Sequence, residues 1–184
     1  MRAFKAFNED MTCTLGHGSY QYEEGKTYRE DKAQAHETGF HCASYILDCF
    51  SYYPKNRSTI VCPVEAFGDI DEDGSNTKIS CTAIAIGKRL SCEGIVIEAI
   101  RYIARHPRFK DKHIHENKGR DDYFCIVRGT NPIAAGSKGT VLGLIKENSR
   151  HKIQAVAIYK VNGRQYKAGH YYDINGEEVQ NEES

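Results

Sequence analysis

The 184-residue sequence predicts an α+β fold: an N-terminal mixed sheet with two helices, followed by a small all-β module of short roll and hairpin. Three observations predict it. Two stretches carry apolar residues at helical spacing: Ile46, Leu47, Phe50 and Tyr53, then Ile95, Val96, Ala99, Ile100 and Ile103. The segments between and before them alternate or are rich in β-branched residues. Beyond Tyr123 the helical spacing gives way to short apolar runs punctuated by Gly and Asn.

The elements follow in order. Ala3–Phe7 alternates and reads as a strand with Phe4 and Phe7 toward the core. Asn8-Glu9-Asp10 turns the chain, and Tyr20–Tyr28 reads as a short strand pair bent at Gly25. Gly39–Cys42 is extended, Ser44 is placed to cap a helix through Tyr53, and Pro54 stops it. Thr59–Phe67 and Lys78–Ile86 read as strands around the polar turn Gly68–Gly74, and Glu93–Arg105 is a helix ended by His106-Pro107. Short strands are expected at 123–128, 133–135, 140–146, 152–161, 165–168 and 171–174. Asn162-Gly163 makes the sharpest hairpin signal, and the acidic tail 176–184 frays. The highly charged stretch 108–122 reads as a linker, which divides the chain into a domain at 1–107, a linker at 108–122 and a β module at 123–184.

Composition narrows the function classes. Lys and Arg together number 25, as do Asp and Glu, so no net field draws the chain to nucleic acid or an anionic membrane. The opening residues lack the apolar core of a signal peptide, and the longest apolar runs are too short to span a bilayer. A cytoplasmic location is therefore expected, with the seven cysteines as reduced, mostly buried thiols rather than a disulfide framework.

A set of segments carries a resemblance. They are Met1–Phe7 with Met11-Thr12-Cys13, Tyr22–Tyr28, Thr38–Cys42 with Leu47–Tyr53, Val64–Ile70, and Val161–Lys167 with Tyr171-Tyr172. Together they resemble an uncharacterised family of bacteria and their phages, whose longer members add a Gly/Ala-rich β-roll that survives here only in Gly129–Gly143. The resemblance implies a phage or mobile-element setting and transfers no activity. A weaker, architectural likeness to ADP-ribosyltransferase-like domains puts Lys5, Gly25, Gly39-Phe40-His41 and Val64–Gly68 in comparable slots. It leaves only Glu65 or Glu93 as the acidic residue.

No catalytic or metal motif stands out. Cys13 with His17 lacks a second ligand pair, His113 and His115 sit among charges, and Asp69–Gly74 approaches a calcium loop but has Ser80 at its twelfth position. The glycines around Gly136–Thr140 miss the phosphate-loop spacing. What stands out is tyrosine: twelve, with no tryptophan. Tyrosine joins a stackable ring to a hydroxyl, which suits flat polar ligands, and nearby cations would suit a phosphate. The expected ligand-binding residues are Lys5, Tyr22, Lys26, Tyr28, His41, Tyr52 and Tyr53. The expected function is binding without catalysis, with no cofactor and no metal. The ligand is a small nucleotide-like molecule, such as a nucleotide signal of host immunity, or a host protein; assembly as a homo-oligomer through strand edges would accompany it. An NAD-using transferase and a protein-binding inhibitor are the alternatives.

Overall fold

The computed structural model describes residues 1–14, 18–33, 38–72 and 77–180. It corrects the fold class: the protein is predominantly β, not α+β. Its described residues hold one α-helix, α1 (Cys92–Arg105), and one short 3-10 helix (Ile46–Ser51) against thirteen strands. The expected Ser44–Tyr53 helix shrinks for a local reason. Tyr45, not Ser44, precedes the first turn, and no side chain caps it. Six residues with Pro54 just beyond leave too few backbone hydrogen bonds to offset nucleation of an α-helix. No helix among the described residues is long and apolar enough to cross a membrane.

The chain forms two compact units, Met1–Ser91 and Cys92–Ser184. In the first, β1 (Arg2–Phe7) runs antiparallel to both β5 (Phe40–Ala43) and β6 (Ile60–Glu72). Strand β7 (Lys78–Ile86) pairs with β5, β6 and β4 (Thr27–Arg29), so the circuit β1–β5–β7–β6 closes on itself. A separate two-stranded piece joins β2 (Thr12–Cys13) to β3 (Tyr20–Gln21). Four strands of the circuit supply its buried cluster: Ala3 and Phe7 from β1, Phe40 from β5, Cys62 and Ala66 from β6, and Cys81 and Ile84 from β7. Strand β6 runs five residues beyond its expected end, with a bulge between Phe67 and Ile70.

In the second unit α1 packs its apolar stripe on a sheet. The helix approaches β10 (Val141–Glu147) so closely at Gly143 that a Cβ there would lie 2.7 Å from Val96 Cγ1. The stretch expected to be a linker contains β8 (Ile114–Asp121), and the expected strands 123–128 and 133–135 merge into β9 (Phe124–Gly136). Both strands turn a corner, at Asn117 with φ 57° and opposite it at Gly129–Thr130, where Asn117 Oδ1 accepts the Thr130 N–H at 3.1 Å. Successive passes therefore stack in parallel, Ile114 beside Ile126 and Ile126 beside Gly143, like the turns of a coil. Strand β11 (Ile153–Lys160) closes one side as an antiparallel partner of β10, while β12 (Tyr171–Tyr172) and β13 (Glu178–Val179) cover the other arm. No strand forms at 165–168.

Candidate functional site

Strand order brings distant residues together in the first unit. The antiparallel register of β1 and β5, with Phe4 opposite Ala43, sets Lys5 beside the His41–Cys42 stretch. The 3-10 helix then brings Asp48, Cys49, Tyr52 and Tyr53 over the same surface, and the segment around β3 supplies Tyr20 and Tyr22. Between them lies a cavity of about 550 Å³. Gly39 sits on its wall with φ +91°, where a Cβ would meet Ser80 Oγ at 2.7 Å, so the wall takes this shape only with glycine.

Lys5 is the central feature. It is 6% exposed, and its ammonium donates to the His41 carbonyl at 2.8 Å. It also lies 5.2 Å from the centroid of the Tyr22 ring and 5.7 Å from that of Phe7. Among the described residues no carboxylate forms an ion pair with it. An ammonium carries three donor hydrogens and a full charge that water would otherwise solvate. One neutral carbonyl and two ring faces compensate only part of the cost of burying it.

The tyrosines form a layered wall. Tyr22 is buried, with Tyr20 4.8 Å, Tyr28 5.0 Å and Phe7 5.1 Å from its ring centroid. Burial holds the Tyr22 hydroxyl well above the ordinary phenol range, with Cys13 adding to the effect. Tyr53 donates its hydroxyl to Cys13 Sγ at 3.1 Å, and burial together with that bond keeps it protonated too. Tyr52 stays 46% exposed at the rim, with Lys78 Nζ 5.2 Å from its ring centroid.

Five of the seven residues expected to bind ligand line this cavity: Lys5, Tyr22, His41, Tyr52 and Tyr53. Two do not. Tyr28 stands behind Tyr22, its hydroxyl accepting the Glu23 N–H at 2.8 Å, and Lys26 is exposed in the hairpin turn, where its carbonyl accepts the Ile86 N–H. Sequence reasoning missed Tyr20, Asp48 and Lys78 as site residues. Asp48 lies in the 3-10 helix and Lys78 begins β7, and only the tyrosine count hinted at Tyr20.

Three thiols, Cys13, Cys42 and Cys49, line the cavity as well. Burial pushes the Cys49 thiol up to about 12, and a hydrogen bond with Cys81, then burial, pushes Cys42 up. A nucleophile or soft metal ligand must be a thiolate, and these two stay protonated near neutral pH. None of the seven cysteines is joined in a disulfide. Among the described residues no three His, Cys, Asp or Glu side chains converge as a metal group; His17, Asp73 and Gly74 lie outside those residues. Of the two acids nominated by the transferase likeness, Glu65 is an exposed residue of β6, and Glu93 belongs to the second unit, where Lys160 pairs with it at 2.6 Å.

Residues 1–98, just over half of the chain, match the model of the DUF7666 domain, a domain of unknown function. The chain belongs to the DUF7666 family. The matched residues include all of the cavity. No curated protein and no solved structure matches the chain.

Proposed function

We propose that the DUF7666 unit is a non-enzymatic binding module for a small anionic ligand carrying a flat ring, a nucleotide being the ligand class. Lys5 carries the reading. A buried ammonium with donors to spare, on the wall of a cavity large enough for a nucleotide, is compensated when an anionic group docks on it. Tyr20 and Tyr52, both partly exposed, offer ring faces for a base, and Lys78 adds a second cation at the rim. A binder without chemistry acts by holding its ligand away from other receptors. In a phage or mobile-element setting, a nucleotide signal of host immunity would be such a ligand.

The test is a thermal-shift screen of the purified protein against cyclic nucleotides, NAD, ADP-ribose and its cyclic forms. A ligand at one hundred times its dissociation constant stabilises by about 2.7 kcal/mol, a clear rise in melting temperature. The ligand should be recovered intact, and Lys5→Met should abolish the shift. Silence across the panel, or an undiminished shift in Lys5→Met, would sink the proposal.

A further inference from the structure

The cavity holds a second polar group whose chemistry is opposite to that of Lys5. Asp48 lines it from the 3-10 helix, and its Oδ2 accepts the Thr77 hydroxyl. The Thr77 oxygen also accepts the Tyr45 N–H at 3.3 Å. A hydroxyl has one hydrogen, so a Thr77 oxygen that already accepts from Tyr45 gives that hydrogen to Asp48. This fixes the carboxylate by one oxygen and leaves Oδ1 with no hydrogen-bond or ion-pair partner among the described residues.

An ionised carboxylate only accepts. It repels a second anionic group and favours a pair of hydroxyl or amino donors. Resting on the anion-binding role of Lys5, we infer that Asp48 reads the donor-bearing part of the same ligand. The cavity thereby takes a ribonucleotide with a free 2′,3′-diol, its phosphate on Lys5 and its sugar hydroxyls on Asp48. A ribose diol supplies hydroxyl donors to such a carboxylate, as when an acidic residue takes the ribose 2′-hydroxyl of a dinucleotide. Bare polyphosphates and fatty acids supply none, so they gain from Lys5 and lose at Asp48.

Three probes separate the parts: ADP, 2′,3′-dideoxy-ADP and pyrophosphate, titrated calorimetrically into the wild-type protein and into Asp48→Asn. The substitution preserves shape and the acceptor for Thr77 while replacing the free acceptor by an amide donor; circular dichroism and melting temperature confirm the fold. The wild-type protein should bind ADP about 10- to 150-fold more tightly than dideoxy-ADP, the span of a hydrogen bond to a charged group. In Asp48→Asn that ratio should fall to near one, while pyrophosphate, relieved of a repelling charge, should bind more tightly. Equal wild-type affinity for ADP and dideoxy-ADP overturns the inference and leaves anion binding standing. A uniform weakening of all three probes by Asp48→Asn also overturns it, because it marks a purely structural aspartate. If none of the three binds the wild-type protein, the anion-binding reading itself falls.

Discussion

Lys5 in the first unit and Arg128 in the second are both withdrawn from water on β-strands, yet their surroundings differ. The Arg128 side chain is 11% exposed and its fork is filled: Nε donates to Glu147 at 2.7 Å, Nη1 to the Phe109 carbonyl at 3.0 Å, and Nη2 to the Pro107 carbonyl. Glu147 in turn accepts from His151 at 3.0 Å. Lys5 has one carbonyl, two ring faces and a cavity. A cation that holds a fold together is surrounded by its partners. On the proposed binding role, Lys5 keeps donors in reserve for an anionic group.

The sharpest way to break this contrast is Glu147→Ala. It strands Arg128 as a buried unpaired charge and should cost about 3–5 kcal/mol in urea unfolding at neutral pH; a loss under 1 kcal/mol would put Arg128 in the same class as Lys5. Burial opposes ionisation of Glu147, but hydrogen bonds from His151 and Arg128 and the charge of Arg128 outweigh it, holding the carboxyl below its ordinary range. A carboxyl lowered in this way contributes fully above its unfolded value and loses the contribution as pH falls through the folded one. The gap between wild type and variant should therefore close in acid and persist at pH 7. No narrowing below pH 4 would show that the stabilisation is not ionic.

Gly143→Ala probes the packing that the second unit relies on. The added Cβ meets Val96 at 2.7 Å and Ile100 at 3.3 Å, and overpacking of that kind should cost about 1–3 kcal/mol of unfolding free energy. An unchanged midpoint would mean that α1 rides loosely on β10. Lys5→Met should have the opposite sign, neutral or a gain of about 1 kcal/mol, because it removes a charge that one carbonyl and two ring faces compensate only in part. Destabilisation by more than about 1 kcal/mol in the ligand-free protein would make Lys5 a structural cation like Arg128. The smallest effect belongs to Tyr53→Phe, which deletes only the bond to Cys13 and should cost about 0.5 kcal/mol by thermal melting.

Much of the fold was legible where one physical rule dominated. The 3.6-residue period of Ile95, Val96, Ala99, Ile100 and Ile103 specified α1 almost to the residue, and the β-branched runs located β6 and β7. Strand β8 was hidden because most of its side chains stay partly or fully exposed and keep their charges; what makes it a strand is its backbone ladder to β9. The helix expected from Ile46, Leu47, Phe50 and Tyr53 has the right buried positions, with the 3-10 helix spanning the first three and Tyr53 buried just beyond it, but too few residues to complete α-helical turns. At the site, composition pointed to tyrosines and a lysine. The convergence of Lys5, His41 and Asp48 depends on strand pairings separated by dozens of residues, which local patterns do not encode. The tyrosine count nominates Tyr28 and the need for a nearby cation nominates Lys26, whereas the hairpin turns Lys26 outward and sets Tyr28 behind the Tyr22 ring.

The stacked passes of β8, β9 and β10 carry a consequence for length. Ile114, Ile126 and Gly143 form one column, and each pass touches chiefly the pass before and the pass after. Stability in such an arrangement sums over neighbours, so growth or loss by one whole turn leaves the remaining interfaces intact. Insertions of a full turn at the Asp121–Phe124 corner should be tolerated, whereas insertion of one or two residues would slide the inward column into solvent. The second unit is thus a stack that can be lengthened by whole turns, while the closed circuit of the first admits no such change.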